Sequence, residues 1–109
     1  MELAFADRGF RDICLSDSLA KQSLDELLTE KLKARLADMA AASVVSELIA
    51  GEPRELNGDR WDHMAVSLIN NFQLTFRSGH SHPRLLDSDK VDWSHVSRIY
   101  IIGMEKSDE

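Results

Sequence analysis

Arg54 to Arg77 reads Arg-Glu-Leu-Asn-Gly-Asp-Arg-Trp-Asp-His-Met-Ala-Val-Ser-Leu-Ile-Asn-Asn-Phe-Gln-Leu-Thr-Phe-Arg. Two short apolar runs flank Asn70-Asn71. Asparagine tolerates the positive φ of a tight primed turn, so the stretch predicts a β-hairpin. Pairing outward from that turn sets Ile69 against Phe72, Ser67 against Leu74 and Ala65 against Phe76 on one mostly apolar face. The alternate pairs, Leu68 with Gln73, Val66 with Thr75 and Met64 with Arg77, fall on a mixed face. The apolar face is expected to meet helices and the mixed face, with Gln73 on it, to stay open.

The helices lie upstream. Ser23-Leu24-Asp25-Glu26 has capping-box spacing, with Ser23 as the cap and Glu26 three residues on. Leu24, Leu27, Leu28, Leu32, Leu36 and Met39 then recur at helical spacing, which predicts a helix from about Ser23 to Ala42. Ser43 can cap a second helix carrying Val44, Val45, Leu48 and Ile49, closed by Gly51 and Pro53. The two would form a helical hairpin laid on the sheet. Glu2 to Phe5 alternates and reads as a first strand, followed by a loop or short helical turn through Phe10, Ile13 and Leu15. Arg54 to Leu56 begins a further strand. Ser78 to His95 is loop-like, Ser97 to Met104 is an apolar closing strand with a central or doubly covered place, and Lys106 to Glu109 is a polar tail.

The chain has 109 residues, 43% hydrophobic and 29% charged, which fits one compact domain spanning 1–109 rather than a disordered segment. No stretch has the length and apolarity of a membrane span, and the N-terminus lacks a basic then apolar leader pattern. Cys14 is the only cysteine, so no internal disulfide forms and a reduced cytoplasm is expected. A net charge of −6 argues against general nucleic-acid affinity, though one face of an acidic protein can still be basic.

The quoted stretch resembles one family, the HigB-like plasmid maintenance system killer group of the RelE/ParE-like toxins. The resemblance rests on Glu55-Leu56-Asn57-Gly58-Asp59-Arg60, on Phe72-Gln73-Leu74-Thr75-Phe76, and on Asp92-Trp93-Ser94-His95-Val96. It implies an α+β fold with the order β-α-α-β-β-β, a strand and two helices followed by a three-stranded antiparallel sheet. It also implies the toxin of a toxin–antitoxin pair: a ribosome-dependent mRNA endonuclease held in check by a cognate antitoxin, typically a helix-turn-helix protein. The implied chemistry uses no cofactor and no metal. A base activates a ribose 2′-OH, cations stabilise the pentavalent phosphate, and an acid protonates the leaving oxygen. The family places Arg where this chain has Gln73, and it commonly ends Asp-Tyr-His where this chain ends Lys106-Ser107-Asp108-Glu109. Two other readings stay open: a fold-retaining module that binds an antitoxin or other protein, and a ParE-like topoisomerase poison.

The candidate site residues are Arg54, Arg60, His63, Gln73 and Arg77. The three arginines either hold an RNA backbone through guanidinium's fork of donors or are solvated partners of Glu55, Asp59 or Asp62. His63 is the one base candidate near them, and the bland alternative is a strand-start histidine. Trp61 can stack on a base or cover the sheet edge. Gly58-Asp59-Arg60 reads as a turn and, by the resemblance, as the rim of the site. His80-Ser81-His82 with His95 has the residue types of a zinc site without firm spacing, so solvated loop histidines are the expectation.

Overall fold

The computed structural model describes residues 1–107. Its elements are β1 (Glu2–Phe5), α1 (Arg8–Leu15), α2 (Asp17–Ser23), α3 (Glu26–Ala41), β2 (Arg54–Glu55), β3 (His63–Ser67), β4 (Phe72–Ser78) and β5 (Arg98–Lys106). The strands form one sheet in the order β1-β5-β4-β3-β2. β3, β4 and β5 make the expected antiparallel core of the sheet, β2 extends one edge, and β1 joins the other edge parallel to β5. The α+β class is as the sequence implied, and β5 sits between two strands, as its apolar run required.

Helix placement differs from expectation. The segment after β1 forms two helices rather than a loop or one short helical turn. Asp7 caps α1 by accepting from Phe10 N–H, and Ser16 caps α2 by accepting from Leu19 N–H. Ser23 is the last residue of α2, and Asp25 caps α3 by accepting from Leu28 N–H at 2.7 Å. A carboxylate two residues downstream won the cap because α2 already occupies Ser23. Beyond α3 no second long helix forms: Val45–Glu47 makes one 3₁₀ turn. Val45 N–H donates to Val96 O at 2.9 Å, so this segment's backbone is tied to the loop before β5 instead of to itself, and Ile49 is left 87% exposed.

The hairpin turn forms as read, but the register does not. Asn70 and Asn71 have φ of 56° and 63°, and Phe72 N–H donates to Ile69 O at 3.0 Å, closing a two-residue turn. Leu68 N–H then also reaches back to Phe72 O, at 2.8 Å. Leu68 and Ile69 therefore together oppose Phe72, a bulge of one residue. Every pair below it slips by one: Ser67 faces Gln73, Val66 faces Leu74, Ala65 faces Thr75, Met64 faces Phe76 and His63 faces Arg77. A slip of one flips the side chains of a strand. β4 keeps its expected faces, with Leu74 and Phe76 inward and Gln73 outward, while β3 exchanges them, so Met64 and Val66 turn inward and Ala65 and Ser67 outward.

The inward face carries Met64, Val66, Leu74, Phe76, Ile99 and Ile101, packed with Leu32 and Met39 of α3 and with Val45, Val91 and Val96 from the loops. Leu28, Leu32, Leu74 and Phe76 are all buried, as expected, but Leu27 is 68% exposed. A second irregularity between Thr75 and Phe76 leaves Ile102 without a register partner on β4. Lys106 ends β5, so the expected polar tail begins later, and Asp108 and Glu109 lie outside the described residues. Among the described residues no helix is long and apolar enough to cross a membrane.

Candidate functional site

The sheet face opposite the helices has a floor of small side chains, Ala65 and Thr75, both fully buried beneath longer neighbours. Two clusters rise from it. The first is built on the β2 edge and the turn-proximal ends of β3 and β4. Arg54 is paired across the ladder with Ala65. Its Nη2 donates to Gln73 Oε1 at 2.6 Å, and its Nη1 donates to Ser67 Oγ at 3.0 Å and to Glu52 O at 3.1 Å. Gln73 is ladder partner to Glu105. Arg60 crosses from the 58–60 turn to grip that carboxylate with both terminal nitrogens, at 3.1 and 2.7 Å. Arg54, Arg60, Gln73 and Glu105 line a cleft of about 440 Å³.

The turn that delivers Arg60 is a single 3₁₀ turn, Gly58–Arg60, and Gly58 has φ +68°, which favours glycine. The turn reading holds for this segment, and Asn57 and Arg60 line the cleft. Arg60 pairs with Glu105 and not with Glu55, Asp59 or Asp62.

The second cluster lies at the other end of β3 and β4. His63 faces Arg77, and Arg77 faces Tyr100. His63 Nδ1 lies 2.7 Å from Asp62 Oδ1. The guanidinium carbon of Arg77 sits 4.7 Å from the centroid of the Tyr100 ring. Among the described residues Arg77 has no hydrogen-bonded or ion-paired partner. Gln73 and Arg77 stand four residues apart along β4, roughly 13 Å at about 3.3 Å per residue. The five candidates therefore share one face but divide: Arg54, Arg60 and Gln73 in the cleft, His63 and Arg77 apart from it.

Sequence reasoning missed Glu105, Tyr100 and the service of Asp62. Glu105 directly follows the apolar closing strand, and the missing partner at Ile102 breaks the alternation that would have put it on this face. Tyr100 is the one polar-tipped side chain within the apolar run from Ile99 to Ile102, which was a usable signal.

The remaining singled-out residues serve the scaffold. Trp93 packs edge-on against Phe76, with centroids 6.3 Å apart, and its Nε1 donates to Glu55 Oε1 at 2.8 Å. It pins β2 to the loop. Asp92 caps the 93–95 turn, and the hydroxyl of Ser94 holds its carboxyl below the usual carboxylate range, with His95 adding to the effect. His80 Nε2 accepts from Ser97 N–H at 3.1 Å, whereas His95 Nδ1 lies 2.9 Å from Asp92 Oδ2. The two histidines thus hold separate parts of the loop. Among the described residues no group of three His, Cys, Asp or Glu is arranged to hold a metal ion. Trp61 is 49% exposed.

No protein-family model matches the chain, and no curated protein matches it in sequence. Solved structures do match it in fold. A YoeB/ParE toxin from Agrobacterium tumefaciens superposes with a TM-score of 0.62 at 14% identity, covering 97% of this chain and 98% of that one. The YoeB-YefM complex from Staphylococcus aureus gives 0.58 at 12% identity, covering 96% and 94%. The YoeB dimer from the same organism gives 0.55 at 14% identity, covering 94% and 92%. Over the 97% of its length so covered, the chain has the RelE/YoeB-like toxin fold.

Proposed function

We propose that the chain is the toxin of a type II toxin–antitoxin pair, a HigB-like killer protein that acts in the cytoplasm as an mRNA endonuclease on the ribosome. A cognate antitoxin, typically a helix-turn-helix protein, would silence it by covering the face opposite the helices. The observation that carries this reading is the placement of Arg54, Arg60 and Arg77 on one face of a toxin-like fold matched over 97% of the chain. On a chain of net charge −6, three guanidiniums on one face make a local site for phosphates against an unfavourable global field.

One observation favours a second reading, that of a non-catalytic binding module. Arg60 is closed on Glu105 and Arg54 on Gln73, so the cleft's cations are already engaged within the chain. Induction of the chain alone, and with any small gene found adjacent to its own, separates the two. The toxin reading expects growth arrest, cleaved mRNA, and relief with co-elution when the partner is present. Normal growth and intact mRNA, with co-elution retained, would leave the module.

A further inference from the structure

The geometry points to Asp62, His63, Arg77 and Tyr100, rather than the Arg54 cleft, as the chemical centre on this face, an inference that rests on the endonuclease reading. The cleft is poorly disposed for chemistry. A phosphate entering it must displace the Glu105 carboxylate from the fork of Arg60, and no imidazole or phenol lines it.

The other end of the face has the complementary properties. Asp62 is an acceptor when ionised, so its 2.7 Å contact makes Nδ1 of His63 the protonated nitrogen. In the neutral ring Nε2 then carries the lone pair, with the ring's orientation fixed by the carboxylate. Arg77 stands directly opposite, with Cβ atoms about 5 Å from those of His63 by ladder geometry. The Arg77 guanidinium rests over the Tyr100 ring, and among the described residues its side chain has no hydrogen-bonded or ion-paired partner, the state suited to receiving phosphate oxygens.

The step is a balanced transesterification. His63 Nε2 takes the proton of a ribose 2′-OH as the 2′-oxygen bonds to phosphorus. The P–O5′ bond breaks, the 5′-oxygen leaves with a proton from solvent, and the imidazolium later returns its proton to solvent. Arg77 donates to the phosphate oxygens as their charge grows. The products are a 2′,3′-cyclic phosphate and a 5′-hydroxyl. Asp62 is a positioning residue, and the Arg54 cleft holds flanking nucleotides of the same strand.

The test maps RNA ends on a translating reporter mRNA after induction of the full chain, with antitoxin co-elution reporting the fold of each variant. His63→Gln and Arg77→Gln are expected to lower end formation by about a hundredfold or more while still co-eluting. Asp62→Asn should lower it and Asp62→Glu recover it, which a purely structural aspartate would not require. Arg60→Gln should lower it by at most about tenfold, since its loss removes binding without removing a proton-transfer group. A cleaving wild type indifferent to His63→Gln and Arg77→Gln overturns the assignment alone. So does a greater loss in Arg60→Gln than in either of them. A wild type that leaves the mRNA uncut removes the endonuclease reading and this centre together.

Discussion

Arg60 and Glu105, 45 residues apart in sequence, meet through two parallel hydrogen bonds across the cleft. The pair joins the 58–60 turn to the end of β5, yet both side chains are about 40% exposed, at 42% and 39%. Water screens a pair so placed, and its net worth is under about 1 kcal/mol. Glu105→Gln should therefore barely move the denaturation midpoint. It should strengthen binding of a short 2′-O-methyl RNA oligonucleotide several-fold, because it removes a negative charge and frees the Arg60 fork. Weaker binding in that variant would mean that the carboxylate organises Arg60 rather than competing with phosphate.

Leu32 is 1% exposed and lies where α3 meets the sheet. Leu32→Ala leaves a cavity between two elements that cannot close on it independently. The expected loss is on the order of 2–5 kcal/mol, read as a lower denaturant midpoint with an unchanged slope. Leu27, five residues earlier in α3 and 68% exposed, is the internal control, and Leu27→Ala should cost under about 0.5 kcal/mol.

Asp92 contributes a stability that depends on pH in a defined sense. Its carboxyl is lowered from the ordinary 3.8 by the Ser94 hydroxyl and by neighbouring contacts including His95. A lowered folded pKa means that the unfolded chain binds the proton more readily. The contribution is thus full above 3.8 and is lost as pH falls through the folded value. Thermal midpoints measured from about pH 5 down to about pH 2 should fall, and Asp92→Asn should flatten part of that fall. An unchanged slope in the variant would show that other carboxylates carry the acid limb.

Burial raises the Cys14 thiol to about 11. At a pH of about 8 roughly one thiol in a thousand is then ionised, and the thiolate is the reactive form. Alkylation of the native chain should be slower by orders of magnitude than alkylation of the chain in denaturant, with a rate rising toward that pKa. Rapid native labelling at neutral pH would mean that the packing over Cys14 opens.

The elements written in local chemistry were legible. Asn70-Asn71 announced its turn, the stripe through Leu28, Leu32 and Met39 announced α3, and Leu74 and Phe76 announced the inward face of β4. What escaped is set by neighbours. Asp25 outcompetes Ser23 because α2 ends there, and Val45 follows Val96 instead of starting a helix. The bulge at Leu68 and Ile69 reverses β3 without any residue that marks it. For the site, the residue types were visible in the 54–77 stretch, but the division into a cleft closed by ion pairing and a second cluster apart from it depends on Glu105 and Tyr100. Both come from a strand whose alternation is broken at Ile102.

The bulge and the turn make a joint prediction about the hairpin. Asn71 sits at φ 63°, where any side chain costs more than glycine, and Asn-Gly is the favoured pair for this turn. Asn71→Gly should therefore stabilise the chain by up to about 1 kcal/mol, the gain from relieved left-handed backbone offset by added freedom in the unfolded state. Asn71→Ala should destabilise it. The register has a second anchor, since Ser107 N–H donates to Asn71 O at 2.6 Å, a contact that the glycine variant keeps. Cross-strand amide contacts by NMR should then still pair Ser67 with Gln73 in Asn71→Gly. If the turn alone dictated register, the tighter Asn-Gly turn would absorb the bulge and set Ser67 against Leu74. Retention of the Ser67–Gln73 pairing places the cause in the core, where Met64 and Val66 are 8% and 1% exposed and cannot turn outward without losing their burial.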